Sequence, residues 1–260
     1  MLVDTHAHLF LEDFDADRDT IIKQAHEVGV TTIINAGIDV SSSKEAIHLA
    51  TIHPGLHAAV GIHPQSAPFA DSKDFQEISI LAKDDSVVAI GEIGLDYYRG
   101  TSSRLCQLQI FEQMLALASE KQLPVILHSR SAETDMLEIL QKWSAQSPPV
   151  RGKWRGVRHC FGESLEIATS YIDMGFMLSF GAYIGYPSSK NLHSVLGNIP
   201  AESFLLETDS PYLPPQSLRG KRNLPEYTKI VAEEIARIRK VSVDEIAWQT
   251  TVNARLLFEL

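Results

Sequence analysis

The sequence predicts a (β/α)8 TIM barrel. Short apolar runs alternate with longer amphipathic segments from one end of the chain to the other, which is typical of strand–helix units around a parallel sheet. Eight apolar runs fit this pattern, and 260 residues is the usual size of one such barrel. Because the chain contains no repeat, low-complexity tract or linker, we expect a single domain over residues 1–260.

The predicted strands are short and nearly free of internal charge, as strands covered on both faces should be. They are Leu2 to Thr5, Thr31 to Ala36, Leu56 to Gly61, Val87 to Gly91, Val125 to His128, Gly156 to His159, Phe176 to Ser179 and Phe204 to Glu207. Apolar residues at three- and four-residue steps predict the helices between them. These include Arg18 to Val28, Ser42 to Ile52, Leu105 to Gln122, Glu133 to Trp143, Leu165 to Met174, Glu226 to Lys240 and Val243 to Phe258, the last capped by Ser242.

The composition of the chain argues against several classes of protein. A net charge of −10 argues against a protein that coats nucleic acid through bulk positive charge, although local cationic pockets stay possible. No apolar run approaches the ~20 residues of a membrane span, and no signal peptide is visible, so we expect a cytoplasmic protein. Cys106 and Cys160 are expected to be free thiols. We expect a monomer or a weak homo-oligomer.

Metal-ligating side chains are concentrated where the predicted strands end. They are His6 and His8 after strand one, His63 after strand three, Glu92 after strand four, His128 and His159 as the last residues of strands five and six, and Asp209 after strand eight. Active sites of such barrels form at the carboxyl ends of the strands. Taken singly, Glu92 fits a turn cap, His128 a core histidine and Asp209 an Asx-turn. Together they are too many for one tetrahedral zinc and suit two divalent ions bridged by a carboxylate.

These segments resemble the TatD family of metal-dependent hydrolases over essentially the full length of the chain. The resemblance is carried by Asp4–Leu9, Gly61–Pro64, Ala89–Asp96, Pro124–Arg130, His159–Phe161 and Leu206–Tyr212. It implies that His6, His8 and Asp209 hold one metal and that His128 and His159 hold the other, with Glu92 as the bridge. His63 would contact substrate phosphate or a metal-bound water. Asp209 is placed both to bind metal and to accept a proton from the attacking water, and Glu207 would support a ligand histidine.

Substrate contacts are predicted around this centre. Arg130 can present a bidentate fork to phosphate, although a structural ion pair is the alternative. Arg222 and Asn223 lie in a basic segment, 219–223, that resembles the substrate-facing loop of the family. Leu224 stands where the family often has glutamate, and Arg158 replaces a usual apolar residue. The segment 144–155 is longer and more basic than expected, and either extends a nucleic-acid groove or is a variable excursion.

The resemblance implies a 3′-5′ exodeoxyribonuclease that hydrolyses phosphodiester bonds with two divalent ions, acting on single-stranded 3′ ends of DNA. The nitrogen-rich ligands favour zinc, manganese or iron over magnesium. Two alternatives remain at this point. One is a binuclear hydrolase of a small ester, lactone or amide, because the metals perform generic hydrolysis while the loops select the substrate. The other is a metal-binding partner protein without catalytic activity.

Overall fold

The strands are built from runs of apolar residues that are buried along nearly their whole length, so both of their faces are covered. The computed structural model describes residues 1–98 and 104–260. In chain order, strands β1 to β8 are Leu2–Ala7, Val30–Ala36, Leu56–Val60, Val87–Asp96, Val125–Arg130, Gly156–Arg158, Phe176–Phe180 and Phe204–Leu206.

Helices separate the strands. In the described ranges, helices α1 to α9 are Arg18–Glu27, Val40–Ile52, Ser72–Leu81, Arg104–Lys121, Glu133–Gln146, Leu165–Asp173, Lys190–Asn198, Thr228–Arg239 and Val243–Phe258. Side-chain caps fix several of their starts: Asp39 accepts from the Ser42 amide at α2, and Ser242 accepts from the Glu245 amide at α9, as predicted. None of the helices seen in 1–98 and 104–260 is long and apolar enough to span a bilayer.

The strands form one eight-stranded sheet in the order β1 to β8, and the pairs β1–β2, β3–β4, β4–β5, β5–β6 and β7–β8 are parallel. The first and last strands also meet, because Ala7 at the end of β1 forms a parallel bridge with Ser210 just after β8. This order confirms the predicted (β/α)8 fold class.

Several predicted boundaries were wrong. β4 and β5 run on to Asp96 and Arg130, so Glu92 and His128 lie inside strands rather than at or just beyond their ends. The extended β4 depends on Gly94 (φ +143°), where a Cβ atom would sit 1.9 Å from the His128 carbonyl oxygen. Helix α5 extends to Gln146, beyond its predicted end at Trp143, and helices α3 and α7 were not predicted.

The residues pack as two compact units. The first contains Met1–Asn35, His159–Asp173 and Met177–Leu260, and the second contains Ala36–Arg158 and Met174–Phe176. In the first unit, α8 and α9 pack together and α9 covers β1 and β8. In the second, β3, β4 and β5 lie side by side, with α2 on β3 and α4 on β4. The expectation of a single domain stays a prediction.

Candidate metal centre

Three side chains of the first unit bring potential ligand atoms to one point. The Nε2 atoms of His6 and His8 lie 3.2 Å apart, and Asp209 Oδ1 lies 3.4 Å from His8 Nε2 and 3.7 Å from His6 Nε2. Ligand atoms held at zinc distances in a tetrahedron are about 3.4 Å from one another. The triangle therefore fits a divalent ion, and imidazole nitrogen with carboxylate oxygen is a donor set that zinc and similar ions accept.

Backbone hydrogen bonds between the end of β1 and the segment after β8 hold this triangle. The Asp209 amide donates to the His6 carbonyl over 2.9 Å, and the His8 amide donates to the Ser210 carbonyl over 2.8 Å. Because the bridge residue Ala7 lies between the two histidines, the same pairing that joins β1 to β8 places both rings beside Asp209. Residues more than 200 positions apart in sequence thus become neighbours through the pairing of β1 with the segment after β8.

Asp4 strengthens this connection and was not singled out by the sequence analysis. Its fully buried carboxyl accepts hydrogen bonds from the Thr208 amide (2.9 Å), the Thr208 hydroxyl (2.6 Å) and the His6 amide (3.3 Å). Burial raises the pKa of Asp4 to about 7, although these hydrogen bonds act in the opposite direction. The available signal was a carboxylate inside an apolar strand, which is rare unless the group is paired.

Asp209 is suited to bind a cation. Burial of its carboxyl favours the neutral form, but the hydrogen bond from His8 and the charges of His159, His6 and His8 favour the ionised form more strongly. The pKa of Asp209 is therefore lowered, and the group is a carboxylate at neutral pH. An ionised carboxylate is the form that binds metal and accepts a proton.

His159 lies beside His6, and Glu207 lies behind it. The His159 and His6 rings stack with centroids 4.0 Å apart and planes 11° from parallel. Glu207 Oε1 is 3.6 Å from His159 Nδ1, which is too long for a hydrogen bond, and instead accepts from the Cys160 amide at 2.6 Å. Its Oε2 accepts from the Ser179 hydroxyl. Glu207 thus supports His159 through the backbone that follows it.

The second unit holds another cluster, made of His63, Glu92 and His128. Glu92 Oε1 is 2.7 Å from His128 Nδ1 and 3.6 Å from His63 Nε2, and Glu92 is buried. His63 Nδ1 accepts from the Gln65 amide at 3.1 Å, so the neutral His63 ring carries its proton on Nε2. The structure therefore places Glu92 and His128 in contact and leaves His63 as a donor that faces them.

Asp96 is a further member of the second cluster that the sequence analysis missed. Its Oδ2 atom lies 3.5 Å from His128 Nε2 and accepts from the Gln65 side chain at 3.2 Å. Burial alone would raise the pKa of Asp96, but the hydrogen bonds from His128 and Gln65 hold it well below the usual range. A carboxylate behind a ligand histidine is a frequent arrangement at metal sites. The signal was the two-residue period of β4, which puts Glu92 and Asp96 on one face.

The predicted substrate residues have different surroundings. The Arg130 guanidinium is exposed and lies 3.9 Å above the ring of Tyr98. Arg222 instead pairs with Asp17 at 2.6 Å and covers the Phe14 ring. Asn223 is fully buried and donates to the carbonyls of Thr208 and Tyr212. These hydrogen bonds hold the loop after β8 in place. They do not support the prediction that Asn223 contacts the substrate.

Two arginines near β6, Arg155 just before it and Arg158 within it, make their hydrogen bonds to other parts of the protein. Arg158 is buried and donates to the Ser129 carbonyl at 2.7 Å and to Glu133 at 3.2 Å. Arg155 donates to the carbonyls of Ser144, Ser147 and Met174. Their guanidinium groups therefore tie strands and loops together, which favours the interpretation of 144–155 as a variable excursion over that of a nucleic-acid groove.

The chain is similar to known proteins over nearly its whole length. A family model described as TatD related DNase matches residues 3–259. The chain is 38% identical over 260 residues to the uncharacterized metal-dependent hydrolase YabD of Bacillus subtilis (strain 168), with all of both chains covered. It is 33% identical over 265 residues to a protein of Erwinia amylovora named 3′-5′ ssDNA/RNA exonuclease TatD, again over both full lengths.

A solved structure agrees with these sequence matches. The crystal structure of YJJV, a TatD homolog from Escherichia coli K12, has a TM-score of 0.90 and 29% sequence identity to this chain, and the match covers 100% of this chain and 98% of that one. The predicted family and the predicted hydrolase class are both confirmed by these comparisons.

Proposed function

Because the chain belongs to the TatD related DNase family and is a metal-dependent hydrolase, we propose that it removes nucleotides from the 3′ end of single-stranded DNA. The observation that carries the proposal is the triangle of His6, His8 and Asp209, whose three ligand atoms have the spacing of a metal's coordination shell. The name of the Erwinia amylovora relative supports the polarity and the substrate.

The assignment of ligands follows the family resemblance. His6, His8 and Asp209 would hold one divalent ion, and His128 and His159 would hold a second, with Glu92 as the shared carboxylate. When bound, the ions supply Lewis acidity toward the phosphate and activation of a water. The donors are mostly imidazole nitrogens, which supports zinc, manganese or iron over magnesium.

The protein's own residues supply proton handling and orientation. The ionised Asp209 is the acceptor for the proton of the attacking water, since its lowered pKa keeps it deprotonated at neutral pH. His63 offers an Nε2 proton to a phosphate oxygen, because its Nδ1 atom is already engaged by the Gln65 amide. Arg130 presents a planar cation that can form two parallel hydrogen bonds with phosphate.

The proposal is tested by digestion of end-labelled single-stranded DNA and RNA with each metal restored after chelation. We expect no cleavage with chelator and recovery with zinc, manganese or iron above that with magnesium. A 5′-labelled strand should shorten stepwise from its 3′ end. If no metal restores cleavage of either nucleic acid, the nuclease proposal is wrong. Turnover of a small ester, lactone or amide by the same metal-loaded protein would then favour the other substrate class.

Replacement of Arg130 tests phosphate recognition separately. We expect Arg130→Ala to raise the KM for DNA about tenfold, because a charge-assisted bidentate contact is lost, and Arg130→Lys to recover only part of that affinity. Arg237→Ala is the matched control, since Arg237 is an exposed arginine that pairs with Glu234 on α8. Steady-state kinetics with a labelled oligonucleotide measure the effect. Equal KM values for Arg130→Ala and Arg237→Ala would remove Arg130 from the substrate site.

A further inference from the structure

A pocket of about 500 Å³ lies in the first unit, and one of its lining residues, Tyr212, has its ring next to that of His8 in the first metal triangle. It is formed by the segment that follows Asp209, and its lining includes Tyr186, Tyr212, Arg219 and Lys221. We refer to it as the Tyr212 pocket. The Tyr212 amide donates to the Asp209 carbonyl over 2.8 Å, so the position of this tyrosine is tied to that of a predicted metal ligand.

Tyr212 gives the pocket an exposed aromatic face. Its side chain is 53% exposed, and its ring centroid is 6.1 Å from that of His8, with the ring planes at 64°. An exposed aromatic face next to a hydrolytic centre is the kind of surface on which a nucleobase stacks. A base is separated from its own phosphate by a single sugar, so a phosphate near His8 brings a base within reach of Tyr212.

The pocket also carries positive charge. Arg219 and Lys221 are exposed, and within residues 1–98 and 104–260 neither has an ion-pair partner. Arg219 lies 4.7 Å above the ring of Tyr186, whose hydroxyl donates to the Pro214 carbonyl at 2.6 Å. Against these two cations the lining contributes one acidic residue, Asp13, while the charge of Arg222 is balanced by Asp17. In a chain of net charge −10, this local excess of cations attracts an anionic ligand.

We propose that the Tyr212 pocket binds one nucleotide of a single-stranded nucleic acid, with its base stacked on Tyr212 and its backbone phosphate held by Arg219 and Lys221. This inference rests on the proposed nuclease function and adds to it a specific base contact. Stacking accepts every base because each has a π face, so the pocket would favour an unpaired strand without selecting its sequence. It would disfavour a base inside a duplex, because both faces of that base are already covered by its neighbours.

The test uses an oligonucleotide with 2-aminopurine at its 3′ end, whose fluorescence falls when the base stacks. Binding is measured with chelator present, so that no cleavage occurs, and cleavage is then measured with metal restored. We expect Tyr212→Ala to weaken binding about tenfold and to abolish the fluorescence change, and Tyr212→Phe to behave as the parent protein. The double variant Arg219→Ala, Lys221→Ala should weaken binding and reduce its salt dependence.

Trp248→Ala is the control, because Trp248 is 65% exposed on α9, is not among the residues that line the pocket, and belongs to the same unit. If the parent protein digests the oligonucleotide while Tyr212→Ala binds and cleaves it as well as Trp248→Ala does, the pocket proposal fails and the nuclease function stands. If the parent protein shows Tyr212-dependent binding but no cleavage with any metal, the pocket proposal stands and the nuclease function fails. If Tyr212→Ala and Tyr212→Phe are equally impaired, stacking is not the contact, and the pocket proposal is overturned.

Discussion

Replacement of Glu92 by glutamine is expected to lower kcat/KM for single-stranded DNA by about 10³-fold, because under the proposed ligand assignment a neutral amide could not supply the negative charge that the two divalent ions would share. Glu92 is buried, and its Oε1 atom contacts His128 Nδ1 at 2.7 Å, so the change alters the charge of the cluster with little change in volume. Initial rates on an end-labelled oligonucleotide measure the loss. Metal content per chain, measured by mass spectrometry after dialysis, should fall in parallel.

The matched control for this change is Glu77→Gln. Glu77 is partly exposed on α3 and pairs with Lys44, and surface pairs of this kind contribute about 0 to 1 kcal/mol to stability. Its activity and metal content should equal those of the parent protein. A Glu92→Gln protein that remained folded by circular dichroism and kept full metal-dependent activity would refute the role assigned to Glu92.

The fold class could be predicted from sequence because barrel strands are covered on both faces and appear as short apolar runs between amphipathic segments. The ends of these strands could not be located with the same accuracy. Glu92, His128 and Asp96 are polar, and a polar residue after an apolar run is naturally interpreted as the end of the strand. Here β4 and β5 stay paired as far as Asp96 and Arg130, and the side chain of His128 contacts those of Glu92 and Asp96.

The grouping of His6 and His8 with Asp209 was predicted from the resemblance to the TatD family, and it agrees with the rule that the carboxyl ends of parallel strands meet at one edge of the sheet. The contacts of the basic segment 219–223 could not be predicted from sequence. Arg222 binds Asp17, a residue 205 positions earlier, and no local pattern indicates which acceptor folds against a given arginine. The same holds for Asn223, whose side-chain amide donates hydrogen bonds to the Thr208 and Tyr212 carbonyls of the loop after β8. Charge can be read from sequence, whereas the partner of that charge depends on the tertiary fold.

Replacement of Asp4 by alanine is expected to lower the free energy of unfolding by about 3 kcal/mol, because buried donors that lose their acceptor keep the full cost of desolvation. The Thr208 amide is the main loss. The Thr208 hydroxyl lies 2.5 Å from the Ser210 hydroxyl and keeps that partner, whereas the buried Thr208 amide loses the acceptor that it has in the parent protein. Asp4→Asn retains an acceptor oxygen and should lose less than half as much stability.

Thermal unfolding followed by circular dichroism with chelator present separates this effect from stabilisation by bound metal. We expect the Tm of Asp4→Ala to fall by about 6 to 12 °C. Asp71→Ala is the matched control, because Asp71 caps the exposed start of α3 by accepting from the Lys73 and Asp74 amides, and the loss of such a cap costs about 1 kcal/mol. If the two variants lost equal stability, the carboxyl of Asp4 would matter no more than a surface cap. A markedly larger loss for Asp4→Ala would show that the buried hydrogen bonds joining β1 to the segment after β8 contribute strongly to the stability of the fold that carries the first metal triangle.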